Sequence, residues 1–258
     1  MKHRPRKRFG QNFLTDAGVV ASIVSAISPA AEDELVEIGP GKGAMTASLA
    51  ASGAKLTAIE IDRDLATRLR ADFPDINLLN QDVLKMDFAE LFAGLSTDKK
   101  SVRIVGNLPY NISTPLLFRL FAVADALTDM HFMLQLEVVD RMTASPGTKD
   151  YGRLSVMTGF YCQAEKLFEV PPSAFTPAPR VTSALVRLTP KRDRPAVKES
   201  LLGEIVSHAF SLRRKTLRNS LGKYLDEARL AAIGIDASLR PENLSLEDFV
   251  RCAKEAAQ

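Results

Sequence analysis

The chain has 258 residues, of which 46% are hydrophobic and 25% charged, so it can form a full hydrophobic core with a second, smaller domain. It contains no apolar run long enough for a membrane helix, and its basic N-terminus lacks the apolar stretch of a secretory signal. Two separated cysteines and three scattered histidines argue against zinc, so we expect reduced thiols, no metal and a cytoplasmic location.

The net charge of +3 is modest, but basic residues are concentrated near both ends of the chain. The two clusters consist of Lys2, Arg4, Arg6, Lys7 and Arg8, and of Arg213, Arg214, Lys215 and Arg218. Basic clusters on an otherwise balanced chain indicate a polyanionic partner. Charge alone leaves two interpretations open, a nucleic-acid contact and an ordinary solvated surface.

Short apolar runs alternate with helical patterns between residues 34 and 136. Strands are predicted at 34–38, 55–61, 76–79, 102–105 and 130–136, and helices at 44–51, 63–71 and 116–122. Strands that alternate with helices indicate an α/β fold in which a parallel sheet is covered on both faces.

The pattern changes after residue 154. The runs at 156–170 and 184–188, separated by the proline-rich segment 171–179, predict an antiparallel hairpin that completes the sheet. A charged linker at 191–195 is followed only by helical patterns, at 201–210, 216–224, 226–233 and 246–256. We therefore predict an α/β domain over residues 1–190 and a helical domain over residues 191–258.

The segment Val36-Glu-Ile-Gly-Pro-Gly-Lys-Gly43 joins the first predicted strand to the first predicted helix. Its glycines allow a tight turn and a close approach of the backbone to a ligand. Gly39, Gly41 and Ala44 fit the dinucleotide-binding pattern, and Glu60 follows about 20 residues later, where it could hold a ribose. This segment alone therefore fits both a nicotinamide dinucleotide and S-adenosylmethionine.

Two carboxylates favour S-adenosylmethionine. Glu37 precedes the glycines, giving the pattern Glu-x-Gly-x-Gly-x-Gly that is typical of sites for this cofactor. Asp82 closes the third strand, where its carboxylate could accept a hydrogen bond from an adenine amine. A turn-capping role for Asp82 remains the alternative.

The turn Asn107-Leu108-Pro109-Tyr110 after the fourth strand is the most informative motif of the chain. An adenine amine is a poor nucleophile because its lone pair is delocalised into the ring. Two acceptors, the Asn107 side-chain oxygen and the Leu108 carbonyl, would favour a pyramidal nitrogen. Pro109 would stiffen the turn and Tyr110 would stack on the base, so that positioning, without a general base, supplies the catalysis. The alternative is an ordinary turn at the end of a strand.

Seven motifs in this order resemble those of the ribosomal RNA adenine dimethyltransferases. They are Arg8-Phe-Gly-Gln-Asn-Phe-Leu14, Val36-Glu-Ile-Gly-Pro-Gly41, Ile59-Glu60, Gln81-Asp82, Gly106-Asn-Leu-Pro-Tyr-Asn-Ile-Ser113, Phe175-Thr-Pro-Ala-Pro-Arg-Val-Thr-Ser183 and the stretch 208–219. The resemblance covers nearly the whole chain. It implies a Rossmann-like S-adenosylmethionine-dependent methyltransferase sheet with a small C-terminal all-helical domain. The implied reaction is dimethylation of the exocyclic N6 of two adjacent adenines in a hairpin near the 3′ end of small-subunit (16S) rRNA, on a pre-assembled subunit.

The resemblance also implies a role for each site residue. The cofactor would be bound by Gln11, Asn12, Leu14, Gly39, Gly41, Glu60, Asp82 and Asn107, with Asn107, Leu108, Pro109 and Tyr110 as the catalytic turn. Tyr110 and Phe175 would contact the target base, and the RNA would be bound by Arg6, Lys7, Arg8, Arg213, Arg214, Lys215 and Arg218. One departure is Lys42, where many relatives carry an apolar or small residue; we expect it to be exposed and of little consequence.

We expect a monomeric enzyme that acts in small-subunit biogenesis. Three alternatives stand beside this hypothesis: a methyltransferase of large-subunit rRNA, a nicotinamide oxidoreductase, and a non-catalytic assembly factor that retains the pocket.

Overall fold

The structure is a computed structural model that describes residues 11–95 and 102–258. The N-terminal basic cluster, and with it Arg6, Lys7 and Arg8, lies outside the described residues. In the described part of the chain, no helix combines the length and apolarity needed to cross a membrane. Within the same residues, no group of three His, Cys, Asp or Glu side chains is placed to hold a metal ion.

The chain alternates strands and helices over its first half and is mainly helical at its end. The strands are β1 (Phe13–Leu14), β2 (Glu34–Ile38), β3 (Lys55–Ile59), β4 (Asn77–Leu79), β5 (Val102–Asn107), β6 (Leu127–Gln135), β7 (Cys162–Val170), β8 (Phe175–Thr176) and β9 (Ser183–Pro190). The helices are α1 (Ala17–Ile27), α2 (Thr46–Ala51), α3 (Arg63–Asp72), α4 (Phe88–Leu95), α5 (Ser113–Phe121), α6 (Leu136–Thr143), α7 (Arg153–Tyr161), α8 (Glu199–Ser211), α9 (Leu217–Ser220), α10 (Glu227–Ala232) and α11 (Leu246–Ala256).

The main sheet, as far as the described residues show it, has seven strands in the order β4-β3-β2-β5-β6-β9-β7. β2 pairs in parallel with both β3 and β5, and the parallel pairing extends to β4 on one side and β6 on the other. β9 runs antiparallel to β6. The strand order reverses at β2, so the gap between the ends of β2 and β5 is the topological switch point, where sheets of this kind bind ligands. The predicted α/β fold with a parallel sheet is confirmed.

The predicted hairpin over 156–170 and 184–188 is only partly correct. β7 and β9 are neighbours in the sheet, but residues 153–161 form helix α7 instead of a strand. Six of its nine residues are buried and they do not lie on one side, so α7 has no amphipathic stripe. A helix that is buried all round lacks the periodic signal by which a sequence reveals it.

The chain divides into two compact units that differ from the predicted domains 1–190 and 191–258. The first unit comprises Met1–Val139 and Glu165–Pro190, and the second comprises Asp140–Ala164 and Lys191–Gln258. Residues 140–164 group with the C-terminal segment because α7 packs against α8 and α11. From residue 191 onward, where every residue is described, all regular elements are helical, as the sequence predicts.

A two-stranded sheet ties the N-terminal segment of the first unit to a loop near its end. β1 pairs antiparallel with β8, with Phe13 opposite Thr176 and Leu14 opposite Phe175. Leu14 and Phe175 are 6% and 4% exposed and belong to a core cluster that includes strand residues of the main sheet. Residues 13–14 are therefore held in place by buried apolar surface on one side and by backbone hydrogen bonds on the other.

Candidate active site

A pocket of about 310 Å³ opens at the carboxyl edge of the parallel strands. Its walls come from the N-terminal segment, the glycine loop after β2, the ends of β3 and β4, and the turn after β5. Every residue of the predicted cofactor and catalytic sets lines it: Gln11, Asn12, Leu14, Gly39, Gly41, Glu60, Asp82, Asn107, Leu108, Pro109 and Tyr110. These residues meet because the carboxyl ends of parallel strands lie at the same edge of the sheet.

The glycine loop has a backbone conformation that residues other than glycine rarely adopt. Gly39 and Gly41 have φ values of 68° and 62°, in the left-handed region that favours glycine. The Gly39 amide donates to the Ile59 carbonyl at 2.9 Å, which joins the ends of β2 and β3. A side chain at Gly41 would approach the Phe13 ring to 3.0 Å. Glycine therefore lets the loop and the N-terminal segment lie against each other.

Glu60 lies at the end of β3 and organises this part of the pocket. It is 4% exposed, and its two carboxylate oxygens accept from the amides of Asp62 at 2.9 Å and Gly41 at 3.1 Å. Burial raises its pKa, and these backbone hydrogen bonds oppose the rise. A carboxylate can accept about four hydrogen bonds, so Glu60 retains acceptor capacity for ligand hydroxyls.

Glu37, at the end of β2, carries an unpartnered acceptor. Its side chain is fully buried; Oε2 accepts from the Thr46 hydroxyl at 2.6 Å, whereas Oε1 has no hydrogen-bond partner among the described residues. Burial raises its pKa to about 7, with the Thr46 hydrogen bond acting in the opposite direction. Buried acceptors are almost always paired in folded proteins, so a pocket residue of this kind fits a ligand that donates to it.

Asp82 combines the two roles that the sequence leaves open. Its Oδ1 accepts from the Leu84 amide at 3.0 Å and so caps the 3₁₀ turn at 83–85. Its second carboxylate oxygen accepts no hydrogen bond from the residues that the structure describes, and Asp82 lines the pocket. The neighbouring Asn80 side chain donates to the Glu60 carbonyl at 2.7 Å and holds the ends of β3 and β4 together.

The turn after β5 is held by contacts on both sides. The Asn107 side-chain nitrogen donates to the Asn12 carbonyl at 3.0 Å. Only the nitrogen of an amide can donate to a carbonyl, so this contact sets the amide orientation and leaves the oxygen for another donor. The Leu108 amide donates to the Met133 carbonyl at 3.2 Å, and the Tyr110 hydroxyl lies 3.0 Å from the Ser183 hydroxyl.

Phe175 does not line this pocket. It is 4% exposed and packs in the core cluster with Leu14 and Val170. Its ring is buried because β8, to which it belongs, pairs with β1 over the core. The contact between Phe175 and the target base stays a prediction.

The C-terminal basic cluster lies in the second unit and is not uniform. Arg213 pairs with Glu242 at 2.7 Å and donates to the Lys149 carbonyl at 2.7 Å. Arg218 pairs with Glu227 at 2.6 Å. Arg214 and Lys215 are exposed and form no ion pair with any described residue. Their cationic groups are the ones that this cluster leaves to solvent.

Two residues of the site were missed by the sequence analysis. Asp62 is fully buried, caps α3 by accepting from the Asp64 amide at 3.0 Å, and accepts from the Gln11 side chain at 3.3 Å. An aspartate before a helix predicts a cap, and that signal was present. Ser183 contacts Tyr110 from a strand far along the chain, and no local pattern indicates such a contact.

Lys42 is exposed, as expected, but it has a specific neighbour. Its ammonium lies 4.6 Å from the centre of the Phe13 ring, and both residues line the pocket. This distance is within the range of a cation–π interaction.

Comparison with known proteins places these motifs in one family. The model of the ribosomal RNA adenine dimethylase family matches residues 2–258. A protein of Saccharophagus degradans named ribosomal RNA small subunit methyltransferase A is 53% identical over 253 residues, which cover 96% of this chain and 93% of that protein. A protein of the same name from Chromohalobacter salexigens is 51% identical, with 99% and 93% covered.

Two solved structures share the fold. A dimethyladenosine transferase from Plasmodium falciparum has a TM-score of 0.79 at 24% identity and covers 93% of this chain and 95% of its own. The 23S rRNA methyltransferase ErmE has a TM-score of 0.69 at 26% identity, with 96% and 100% covered. From the family model and from relatives that are half identical over almost the full length, the chain belongs to the ribosomal RNA adenine dimethylase family.

Proposed function

We propose that this chain is an S-adenosylmethionine-dependent methyltransferase that dimethylates N6 of two adjacent adenines in a hairpin near the 3′ end of small-subunit rRNA. The contact between Asn107 and Asn12 carries this proposal. It leaves the Asn107 side-chain oxygen as an acceptor beside a pocket of nucleotide type. An acceptor at this position suits an exocyclic amine and has no evident use in hydride transfer.

The pocket residues fit the proposed cofactor. The remaining acceptor capacity of Glu60 suits ribose hydroxyls, and the free oxygen of Asp82 suits an adenine amine. The unpartnered Oε1 of Glu37 suits a cationic or hydroxyl donor, and Gly39 and Gly41 leave room for close approach. When bound, S-adenosylmethionine supplies an electrophilic methyl group. A nicotinamide dinucleotide would leave the turn 107–110 without a role.

The chain's own contribution to the reaction is to hold the amine. In the first transfer, the Asn107 side-chain oxygen and the Leu108 carbonyl accept the two N–H bonds of the amine, which localises the lone pair on nitrogen. In the second transfer, one of these acceptors holds the single N–H bond that remains. The Leu108 amide donates to the Met133 carbonyl, and the Tyr110 hydroxyl is hydrogen-bonded to the Ser183 hydroxyl. These contacts hold the turn that carries the two acceptors and the stacking ring. Such positioning removes much of the entropic barrier to attack. The nitrogen is cationic once it is methylated, and this cation is acidic and loses a proton to water.

The small subunit is favoured over the large subunit as the substrate. Relatives that are 51–53% identical carry the name ribosomal RNA small subunit methyltransferase A, whereas the named 23S rRNA methyltransferase is 26% identical. We assign RNA phosphates to Arg214 and Lys215 and to the N-terminal Arg6, Lys7 and Arg8. Arg213 and Arg218 would have to exchange an acidic partner for RNA. We further propose a monomer that acts in the cytoplasm on a pre-assembled subunit.

Methyl transfer to matched substrates tests this proposal. The substrates are small subunits that lack the modification, naked small-subunit RNA and naked large-subunit RNA, each with labelled cofactor. We expect dimethyladenine in the small subunit and none in large-subunit RNA. Methylated large-subunit RNA would instead support the second function, and binding of subunits without methyl transfer would support the non-catalytic assembly factor.

A further inference from the structure

Residues 177–181 lie between β8 and β9 and form a short, mostly exposed segment, which we call the 177–181 tip. One end is held by β8, where Thr176 pairs with Phe13. The other end is held at Thr182, whose carbonyl accepts from the Leu136 amide at 3.0 Å, and at Ser183, whose hydroxyl lies 3.0 Å from that of Tyr110. Phe13 and Tyr110 both line the pocket, so both anchors of the tip are attached to the pocket wall.

Four of the five residues of the tip are exposed, in contrast to Phe175, which precedes it. Phe175 is 4% exposed, whereas Val181 is 43% exposed. Val181 is one of three large apolar side chains in the described part of the chain that are exposed to solvent. Arg180 is exposed and forms no ion pair with any described residue. Pro177 and Pro179 restrict the backbone, so these exposed side chains project from a stiff support.

Given the proposed methyltransferase function, on which this inference rests, we propose that the 177–181 tip binds the RNA strand beside the extruded adenine. Arg180 contacts a backbone phosphate, and Val181 packs against the base face that extrusion uncovers. An adenine that enters the pocket must leave its stack, and its neighbours then expose an apolar surface. Apolar side chains beside cationic ones are the combination that other proteins use at disturbed base steps.

Charge and size favour RNA as the occupant of this surface. The tip offers one guanidinium that forms no ion pair within residues 11–95 and 102–258, which suits a phosphate, and one large aliphatic side chain, which suits a single base. A protein partner would need a larger apolar surface than one valine supplies. Through Ser183 and Tyr110, the tip is also linked to the ring that the proposed function assigns to the target base.

The test compares Arg180→Ala and Val181→Ala with Arg68→Ala. Arg68 is an exposed arginine on α3 of the same unit and pairs only with Asp72, one turn away, so its loss removes the same charge elsewhere. We expect Arg180→Ala to raise KM for small subunits about tenfold and to reduce the salt slope of binding by about one. We expect Val181→Ala to lower kcat/KM about threefold to fivefold, whereas Val181→Ile, which keeps a large aliphatic side chain, should retain the wild-type value.

Controls separate this inference from the proposed function. The Kd of cofactor, measured by calorimetry, should stay unchanged in all four variants, because none of the altered residues lines the pocket. If the wild-type chain methylates small subunits and Arg180→Ala has the KM and salt slope of Arg68→Ala, the tip does not bind RNA. A KM defect in Arg180→Ala without a change in salt slope would also overturn the phosphate contact. If the wild-type chain produces no dimethyladenine, the proposed function itself fails.

Discussion

The side-chain nitrogen of Asn107 donates to the main-chain carbonyl of Asn12 at 3.0 Å, joining two segments that are 95 residues apart. This hydrogen bond connects the turn proposed to hold the adenine amine with the segment that covers the cofactor pocket. Asn12 is followed directly by β1, which pairs with β8, and β8 leads into the 177–181 tip. Residues 11–14, the turn 107–110 and the proposed RNA contact are thus parts of one connected structure.

Replacing Asn107 should separate its two roles. Asn107→Ala removes the acceptor for the adenine amine, and we expect turnover to fall about a hundredfold or more while the Kd of cofactor changes less than about tenfold. Both Asn107→Ala and Asn107→Asp lose the donor to the Asn12 carbonyl, but Asn107→Asp also places a carboxylate oxygen against that carbonyl, so we expect it to weaken cofactor binding more. Single-turnover rates and calorimetry measure the two effects. Wild-type turnover in Asn107→Ala would remove Asn107 from the mechanism.

Gly106→Ala should destabilise the protein at the switch point of the sheet. A methyl group there would lie 2.7 Å from the Ile38 carbonyl oxygen, so β5 and β2 would have to move apart. We expect a loss of about 1–3 kcal/mol in the free energy of unfolding, measured by urea denaturation. Gly94→Ala is the matched control, because no described atom lies within 4 Å of the added methyl group. Equal stabilities of the two variants would contradict the close approach of the strands.

Glu37 should make stability depend on pH near neutrality. Folding raises its pKa from 4.5 to about 7, so the folded chain binds this proton more tightly than the unfolded chain. The contribution of Glu37 to stability is therefore complete below about pH 4.5 and is lost as pH rises through about 7. Glu37→Gln keeps an acceptor for Thr46 and does not ionise. We expect Tm of the cofactor-free protein to fall less steeply between about pH 5 and 7.5 in this variant than in the wild type. Parallel curves of Tm against pH for the two proteins would show that folding does not raise the pKa of Glu37 into this pH range.

Lys42 should affect cofactor binding although its side chain is exposed. Its ammonium lies 4.6 Å from the centre of the Phe13 ring, which covers Gly41 at the pocket wall. A cation–π interaction of about 0.5–1 kcal/mol corresponds to a weakening of cofactor binding by about twofold to fivefold in Lys42→Ala. Lys42→Arg should retain the wild-type Kd. Lys55→Ala serves as control, since Lys55 is exposed, pairs with Glu34 and does not line the pocket. If calorimetry gives the same cofactor Kd for Lys42→Ala and Lys55→Ala, Lys42 does not contribute to cofactor binding.

Features with a local signal were predicted well from the sequence. The parallel strands between residues 34 and 136 follow apolar runs, and the glycines at 39 and 41 mark a loop whose φ values are positive. Because parallel strands end at one edge, their order along the chain was enough to bring Glu60, Asp82 and Asn107 into one pocket. Helix α7 was missed, since it is buried all round and its apolar residues show no helical period.

What only the tertiary structure decided depends on contacts between distant segments. The family resemblance implies that Phe175 and Arg213 take part in recognition, which stays a prediction. Only the structure shows that Phe175 is buried over the core and that Arg213 pairs with Glu242. β1 and β8 are two residues long, too short for any periodic pattern, and exist only because they pair with each other. The sequence by itself determined the fold class, the pocket and the chemistry of its residues, because these follow from local pattern and strand order. Long-range packing and pairing decided the orientation of the Asn107 amide, the exposure of Val181, and which arginines of the C-terminal cluster pair with acidic residues. No local run of residues encodes such contacts.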